Sequence, residues 1–271
     1  MIDRLRRLLI IGRRSAELCL KDLLWRGLIH RWPVKRWQAS ALMPSVYALT
    51  TSGARQIAKL RGQDPRPICD RARRAREQTY HLRHDLEASR FFTKLAAVAS
   101  DLPDQGLYHW LGEATCRAHE RDSSPPSDGW GRYLLADREI TFDLEWDRGT
   151  EHVRRLRTKA SDYVTYFRGR RDAELHHVLF VAPTRMREGE LHDLIELVLP
   201  RHLSLCRFWT TALETVSALG WLGAVWLEIG GAARRHAFSD LQGHPRGTRS
   251  ADDCIAKDHW WERRPGGGEG A

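Results

Sequence analysis

Hydrophobic residues in the first sixty positions recur first at the spacing of a helix and then at that of a strand. Ile2–Ile11 carries apolar residues at helical spacing with arginines on the other face, which predicts a helix. Leu18, Leu23 and Trp25 mark the apolar face of a second helix that Ser15 can cap. The pattern then predicts two short strands and a further helix: Leu28–Trp32, Pro44–Thr50 and a helix that begins at Thr51.

This order of elements, with a basic loop between the two strands, is that of a winged helix-turn-helix. In that fold one helix enters the major groove of DNA, while cations of the loop, the wing, hold phosphates. We therefore predict DNA contacts from six cations: Arg13, Arg14, Lys21, Arg26, Lys35 and Arg36. The pattern leaves open a helical hairpin whose β-ribbon serves only packing or dimerisation.

The next part of the chain alternates between helix-like and strand-like patterns. Its predicted order is helix, three strands, helix, strand, helix and strand, which indicates a mixed sheet flanked by helices. One strand has an apolar face and an acidic face: Phe142, Leu144 and Trp146 on one, Asp143, Glu145 and Asp147 on the other. Three carboxylates in a row repel each other and are costly to desolvate, so the acidic face is either solvated or occupied by a cation or a basic partner.

These patterns predict an α+β chain of four segments. A winged helix-turn-helix over 1–62 is followed by a basic linker over 63–80, a mixed α/β domain over 81–232 and a poorly structured tail over 233–271. The linker prediction rests on a run rich in proline and arginine. The tail prediction rests on the loss of periodicity and on the glycine-rich end.

The charge of the chain is divided unevenly. Residues 1–75 contain 17 Lys and Arg against 5 Asp and Glu, a net charge of +12, whereas the remaining residues sum to −3. A small, strongly basic segment indicates a polyanionic partner, most simply DNA. The alternative is an arginine-rich surface that only keeps the protein in solution.

The cysteines and the hydropathy pattern bear on the compartment. The five cysteines are isolated, with no CxxC pair, which favours a reducing cytoplasm over a disulfide scaffold or a zinc site. The most apolar run, Ala218–Leu227, is far shorter than the roughly 20 residues of a membrane span. We expect a cytoplasmic protein without a membrane partner.

Three residues of the second part have the spacing of a phosphodiesterase site. Asp128 precedes one strand, Glu145 lies on the next strand and Lys159 lies on the following helix. This is the skeleton of a PD-(D/E)XK nuclease site, so we predict that the mixed α/β domain resembles that fold. Asp128 and Glu145 would bind Mg²⁺ as oxygen ligands, Glu113 would be a weaker further ligand, and Lys159 would stabilise negative charge. The alternative is that Asp128 caps a turn, the other acids pair with nearby arginines and Lys159 is solvated.

Several sequence blocks resemble the replication-relaxation family of plasmid and integrative-element proteins. They are LWRGLIHRW, PSVYALTTSGARQIA, LYHWLGE, SDG, FDLEWDRGT, LRTKASDYVTYF and VLFVAPT. The resemblance implies a winged helix-turn-helix protein connected to plasmid replication or mobilisation. It places eight residues at motif positions of the family: Asp128, Gly129, Glu145, Asp147, Gly149, Thr150, Lys159 and Tyr163. The chain starts close to the presented helix, which suggests a winged module truncated at its start.

Three functions are consistent with these patterns. The first is a DNA-binding protein of a plasmid or integrative element that acts in replication, relaxation or their control, with a degenerate nuclease-like domain. The second is a Mg²⁺-dependent endonuclease or nickase that uses Asp128, Glu145 and Lys159. The third is an adaptor that recruits a replication or conjugation protein through its acidic strand. The oligomeric state is left open.

Overall fold

The structure is a computed structural model of the chain. It describes residues 13–33, 45–77, 82–99, 102, 104–118, 125–149, 151–168, 175–200 and 205–245. These residues contain eight α-helices and ten strands, so the fold is a mixture of helix and mixed sheet, as predicted. They form two compact units that divide between Leu82 and Arg83.

The first unit consists of three helices and a two-stranded sheet. Its elements are α1 Arg13–Trp25, β1 Ile29–Pro33, β2 Ser45–Leu49, α2 Thr51–Leu60 and α3 Pro65–Glu77. The two strands are antiparallel, with Ile29 opposite Leu49. The predicted order of helix, strand, strand and helix is therefore present, whereas a winged helix-turn-helix stays a prediction. The wing predicted around Lys35 and Arg36 lies outside the described residues.

Thr50 and two glycines fix the connections of this unit. Gly27 ends α1 with a φ of 64°, a conformation that glycine adopts without strain. The Thr50 hydroxyl donates to the Gly27 carbonyl at 2.7 Å and accepts from the Gly53 amide at 2.9 Å, so it caps α2. A Cβ atom at Gly53 would lie 2.0 Å from the Leu28 carbonyl oxygen, so only glycine fits this approach.

The segment predicted as a basic linker contains α3. Pro65 and Pro67 lie in the first turn, where a missing amide hydrogen costs no hydrogen bond. Ile68 and Ala72 follow at helical spacing; Ile68 is partly buried and Ala72 is buried. These two apolar residues therefore give this arginine-rich segment a packed side.

The second unit is built on an eight-stranded sheet. Its helices are α4 Leu82–Ala99, α5 Glu113–Ala118, α6 Val153–Arg168, α7 Arg185–Glu196 and α8 Leu213–Leu219. Its strands are β3 Gln105–Gly112, β4 Gly129–Leu135, β5 Arg138–Trp146, β6 His176–Ala182, β7 Cys206–Ala212, β8 Trp226–Glu228, β9 Arg235–His236 and β10 His244–Pro245. The sheet order is β3-β4-β5-β6-β7-β8-β9, and β10 pairs with the start of β5. Strands β5, β6 and β7 are parallel, and the other pairs are antiparallel.

Helices cover both faces of this sheet. On one face, Phe91 and Phe92 of α4 pack on Phe142 of β5 with ring centroids 6.0 and 5.9 Å apart. On the opposite face, Tyr163 of α6 packs in one buried cluster with Phe180 of β6. Alternation along β5 therefore directs its apolar side chains to α4 and its carboxylates toward α6.

Part of the segment predicted as a poorly structured tail belongs to this core. Residues 235–245 contain β9, a 3-10 turn over Phe238–Asp240, and β10. Phe238 is fully buried against Tyr133 and Phe142, with ring centroids 5.1 and 5.7 Å apart. These strands are two residues long, which is too short to produce a hydrophobic period in the sequence. Within the described part of the chain, every helix is too short or too polar to cross a membrane.

Candidate active site

Asp128 is fixed at the end of β5 by backbone hydrogen bonds. Its own amide donates to the Leu144 carbonyl at 3.0 Å, and its Oδ2 accepts from the Trp146 amide at 2.7 Å. Glu145 lies between these two residues on β5, and its side chain is only 2% exposed. The strand pairing therefore places the two predicted acids beside each other, although 16 residues separate them in the chain.

Lys159 of α6 joins the two acids. Its Nζ is in direct contact with Glu145 Oε2 and lies 3.9 Å from Asp128 Oδ2. One helical turn later, the Tyr163 hydroxyl donates to Glu145 Oε1 at 2.6 Å. The structure thus brings together Asp128, Glu145 and Lys159, and it adds Tyr163 beneath them as a buried donor.

Burial sets the protonation of this group. Burial raises the pKa of Glu145 to about 8, because desolvation of the carboxylate outweighs the attraction of Lys159. For Lys159, burial favours the neutral amine, but Glu145 and Asp128 outweigh it and raise the pKa above its ordinary value. The lysine is therefore a cation, and a metal ion that bound Glu145 would have to compete with a proton for this carboxylate.

A histidine that the sequence did not indicate lies on the other side of Asp128. His84 is in the first turn of α4, with Nε2 3.2 Å from Asp128 Oδ2 and Nδ1 3.7 Å from Glu113 Oε2. Hydrogen bonds to Asp128, Asp85 and Glu113 raise the pKa of His84 to about 12. His84 in turn lowers the pKa of Glu113 to about 2. No local motif marks His84, because it reaches the site only through the packing of α4 on the sheet.

The donor set fits a divalent cation. His84, Glu113 and Asp128 each offer one ligand atom, and these atoms lie within 4.8 Å of one another. Among the described residues, the polar contacts of Asp128 all end on Oδ2 or on its backbone, which leaves Oδ1 for a ligand. Carboxylate oxygens suit Mg²⁺ and Mn²⁺, whereas His84 would bind a metal only after it loses the proton that its hydrogen bonds to Asp128 and Glu113 hold in place. Glu113, predicted as a weaker ligand, lies on the His84 side of Asp128.

The other two carboxylates of β5 and its end belong to separate contacts. Asp147 accepts from Arg187 Nε at 2.6 Å and from the Gly149 amide at 2.9 Å. Asp143 lies 2.7 Å from Nε2 of His176. The acidic row predicted for this strand is therefore divided among three partners: an arginine, a histidine and the site lysine.

The candidate DNA contacts of the first unit lie around α1. Arg13 is the first residue of α1, and Arg14 and Lys21 are exposed on it. Arg26 follows α1 directly and pairs with Asp22 at 2.9 Å. Arg14, Lys21 and Arg26 are therefore exposed on or beside α1, and their contact with DNA stays a prediction.

The model of the replication-relaxation family matches residues 2–180 of the chain. The match includes the elements that carry His84, Glu113, Asp128, Glu145 and Lys159. No curated protein matches the chain.

Proposed function

The chain belongs to the replication-relaxation family, and from this premise we propose that it binds the DNA of a plasmid or another mobile element and cuts one strand in a metal-dependent reaction. A single cut in a supercoiled circle lets one strand rotate about the other, which relaxes the circle and connects the reaction to replication. In this proposal the first unit holds DNA and the second unit supplies the chemistry.

The observation that carries the proposal is the meeting of Asp128, Glu145 and Lys159 at one end of the sheet. A loop, a strand and a helix each contribute one of the three side chains. Two carboxylates beside one amine suit a phosphodiester, since the acids offer oxygen ligands to a cation and the amine offsets negative charge. A bound Mg²⁺ or Mn²⁺ would polarise the phosphate and lower the pKa of a water ligand.

Each side chain of the site has a distinct part in this proposal. Asp128 is held rigidly by the Trp146 amide, so its free oxygen keeps a fixed direction. Glu145 binds a cation only after it loses its proton, because burial favours the neutral acid. Lys159 lies where it can offset the charge that develops on the phosphate. His84 orients Asp128 and Glu113 from the opposite side.

The order of elements supports the same proposal. Helix α4, the antiparallel strands β3, β4 and β5, the crossover helix α6 and the parallel strand β6 follow the order predicted for a PD-(D/E)XK-like domain. Helix α5 is inserted between β3 and β4, and it brings Glu113 to the site. We infer a nuclease-like domain that has kept its acids and its lysine, in place of the degenerate domain that the sequence suggested.

Plasmid cleavage tests the proposal. Supercoiled plasmid is incubated with the protein and Mg²⁺ or Mn²⁺, and open circles are measured on a gel. We expect open circles with the wild type, and a loss of at least 100-fold in rate for Glu145→Gln, which removes a ligand charge but keeps the size of the side chain. Asp162→Asn is the matched control, because Asp162 is an exposed carboxylate of the same region on α6. Equal rates for Glu145→Gln and the wild type would assign the cleavage to a contaminant.

A second function is favoured by one observation. The acids of the site already have protein cations as partners, Lys159 for Glu145 and His84 for Asp128. Such pairs can stabilise a domain that binds DNA without cutting it. An absence of open circles with both metals, together with a salt-sensitive mobility shift, would support this function and contradict the nickase.

A further inference from the structure

A cleft of about 570 Å³ lies next to the candidate active site in the second unit. Its lining includes five polar or aromatic residues: His109, Ser127, Trp130, Arg132 and Asp143. Ser127 directly precedes Asp128, and Asp143 lies two residues before Glu145 on the same face of β5. The cleft therefore opens on the same side of the sheet as the site acids and continues from them.

Strands β3 and β4 form the floor of the cleft with one of their two faces. Trp130 lies opposite Asp143, and Arg132 lies opposite Thr141, in the antiparallel pairing of β4 with β5. Residues opposite each other in such a pairing share one face of the sheet, which here is the face of Glu145. Helix α6 packs on this face through Tyr163 against Phe180 of β6. The cleft occupies the same face at the edge of the sheet formed by β3.

The cleft presents an aromatic ring with cationic and hydrogen-bonding neighbours. Arg132 Cζ lies 5.2 Å from the centroid of the Trp130 ring, within the range of a cation–π contact. The His109 ring meets the Trp130 ring edge-on, with centroids 5.5 Å apart. Burial and the neighbouring Arg132 lower the pKa of His109, so its imidazole is neutral and offers both a donor and an acceptor.

A neighbouring histidine holds Asp143 in place. Oδ2 of Asp143 lies 2.7 Å from Nε2 of His176, so the carboxylate has a fixed orientation. A carboxylate in this position accepts hydrogen bonds from the amino groups of bases, as acidic side chains do from cytosine. The cleft therefore combines a stacking surface with an acceptor and with neutral polar groups along its edge.

We propose that this cleft binds one unpaired base of a DNA strand, stacked on Trp130, beside the phosphate that the active site attacks. This inference deepens the proposed function and rests on it, because it names the substrate as DNA with an unpaired nucleotide. A base within a duplex has both faces covered by its neighbours, so only an unpaired base has a face for the indole. The volume of the cleft is in the range of sites for small ligands and is too small for a duplex.

Binding measured without cleavage tests the inference. A fluorescently labelled single strand and the matching duplex are titrated with the protein in EDTA, and fluorescence anisotropy gives the dissociation constants. We expect Trp130→Ala to weaken single-strand binding about 5- to 100-fold, the range found for one stacked base, and to leave duplex binding unchanged. Trp130→Phe should restore most of the affinity, since phenylalanine keeps an aromatic face.

A second readout reports stacking itself. A single strand that contains 2-aminopurine loses fluorescence when this base stacks on an aromatic ring, and Trp130→Ala should abolish the loss. Leu197→Ala is the control, because Leu197 is 77% exposed and does not line the cleft. Arg132→Gln replaces Trp130→Ala if the latter does not fold, and it should also weaken single-strand binding. Unchanged affinity and unchanged fluorescence in the folded variants would overturn the inference.

The outcome is separable from that of the nickase proposal. Single-strand binding that depends on Trp130, without any plasmid cleavage, would support the base-binding cleft and contradict the nuclease. Plasmid cleavage that depends on Glu145, together with single-strand binding that is unchanged by substitution of Trp130 or Arg132, would support the nuclease and contradict the base-binding cleft.

Discussion

At the scale of single residues, the site depends on side chains that are held before any ligand binds. The Trp146 amide fixes Asp128, and Tyr163 and Lys159 fix Glu145. Tyr163 is fully buried and its pKa is raised well above its ordinary value by burial and by nearby carboxylates. It therefore acts as a hydrogen-bond donor that positions Glu145, and not as a nucleophile.

Removal of the Tyr163 hydroxyl should move the pH dependence of cleavage. The hydrogen bond from Tyr163 lowers the pKa of Glu145, which burial nevertheless holds at about 8. Tyr163→Phe should raise the pKa of Glu145 further, so that a metal ion competes with a more tightly bound proton. The pH at which the cleavage rate reaches half its maximum should therefore shift upward. The measurement is the initial rate of plasmid nicking against pH at fixed Mn²⁺. An unchanged midpoint would show that Glu145 does not titrate in the reaction.

His177 gives the protein a predictable sensitivity to acid. Its Nδ1 accepts from Trp209 Nε1 at 2.9 Å, and its Nε2 donates to the Gln242 carbonyl at 2.6 Å. Burial lowers the pKa of His177 to about 3 from an ordinary value of 6.5. The folded state thus binds this proton more weakly than the unfolded state, so the contribution of His177 to stability is complete above pH 6.5 and is lost as the pH falls toward 3.

The expected loss can be measured by denaturant unfolding at several pH values. As the pH falls from 6.5 to 3, protonation of His177 in the unfolded state should lower the free energy of unfolding by up to about 1.4 kcal/mol for each pH unit. His177→Gln should remove that part of the slope, whereas His152→Gln should keep it, since His152 is exposed. Parallel slopes for the wild type and His177→Gln would contradict the assignment of a neutral, buried imidazole.

At the scale of elements, periodicity predicted most of the long helices and strands, but it missed α3, because the many arginines of that segment obscure its short apolar face. Short elements and distant contacts could not be predicted. Apolar and acidic residues alternate from Phe142 to Trp146, and this alternation is visible in the sequence. It arises because one face of β5 packs on α4. Asp128 and Glu145 could be placed together because neighbouring antiparallel strands bring their ends side by side. His84 and Phe238 could not, because each reaches its partners through packing between elements far apart in the chain.

Phe238 tests whether the late segment is part of the core. The residue is fully buried among Tyr133, Phe142 and Trp226, so Phe238→Ala leaves a cavity between aromatic rings. We expect a loss of about 3–5 kcal/mol in the free energy of unfolding of the second unit. Met186→Ala should change it by less than about 0.5 kcal/mol, because Met186 is 77% exposed. A small effect of Phe238→Ala would mean that residues 235–245 do not contribute to the stability of the sheet.

At the scale of the whole molecule, charge separates a basic first part from a nearly neutral second part. Residues 1–75 carry a net charge of +12, and the remainder carries −3. We propose that the basic first part provides the affinity for DNA and that the second part cuts the strand. DNA binding should therefore weaken steeply with salt, because counterions are released from the phosphates that the cations contact.

The predicted wing should contribute to this salt dependence. Replacement of Lys35 and Arg36 by glutamine should weaken binding to all DNA sequences alike and reduce the slope of log affinity against log salt by about 2, roughly one for each phosphate contact. The same replacement at Arg168 and Arg185, which are exposed in the second unit, is the matched control. If the control pair changed the slope as much as Lys35 and Arg36 do, the effect would be one of overall charge. Lys35 and Arg36 would then not be assigned to a DNA-binding wing.

We propose that Asp128, Glu145 and Lys159 form a working site for DNA cleavage. Its most direct test is the conversion of supercoiled plasmid by the wild type and by Lys159→Met, in parallel with Mn²⁺ binding by calorimetry. We expect that Lys159→Met still binds Mn²⁺, since both acids remain, but produces open circles at least 100-fold more slowly than the wild type. A Lys159→Met protein that cleaves as fast as the wild type would contradict this proposal.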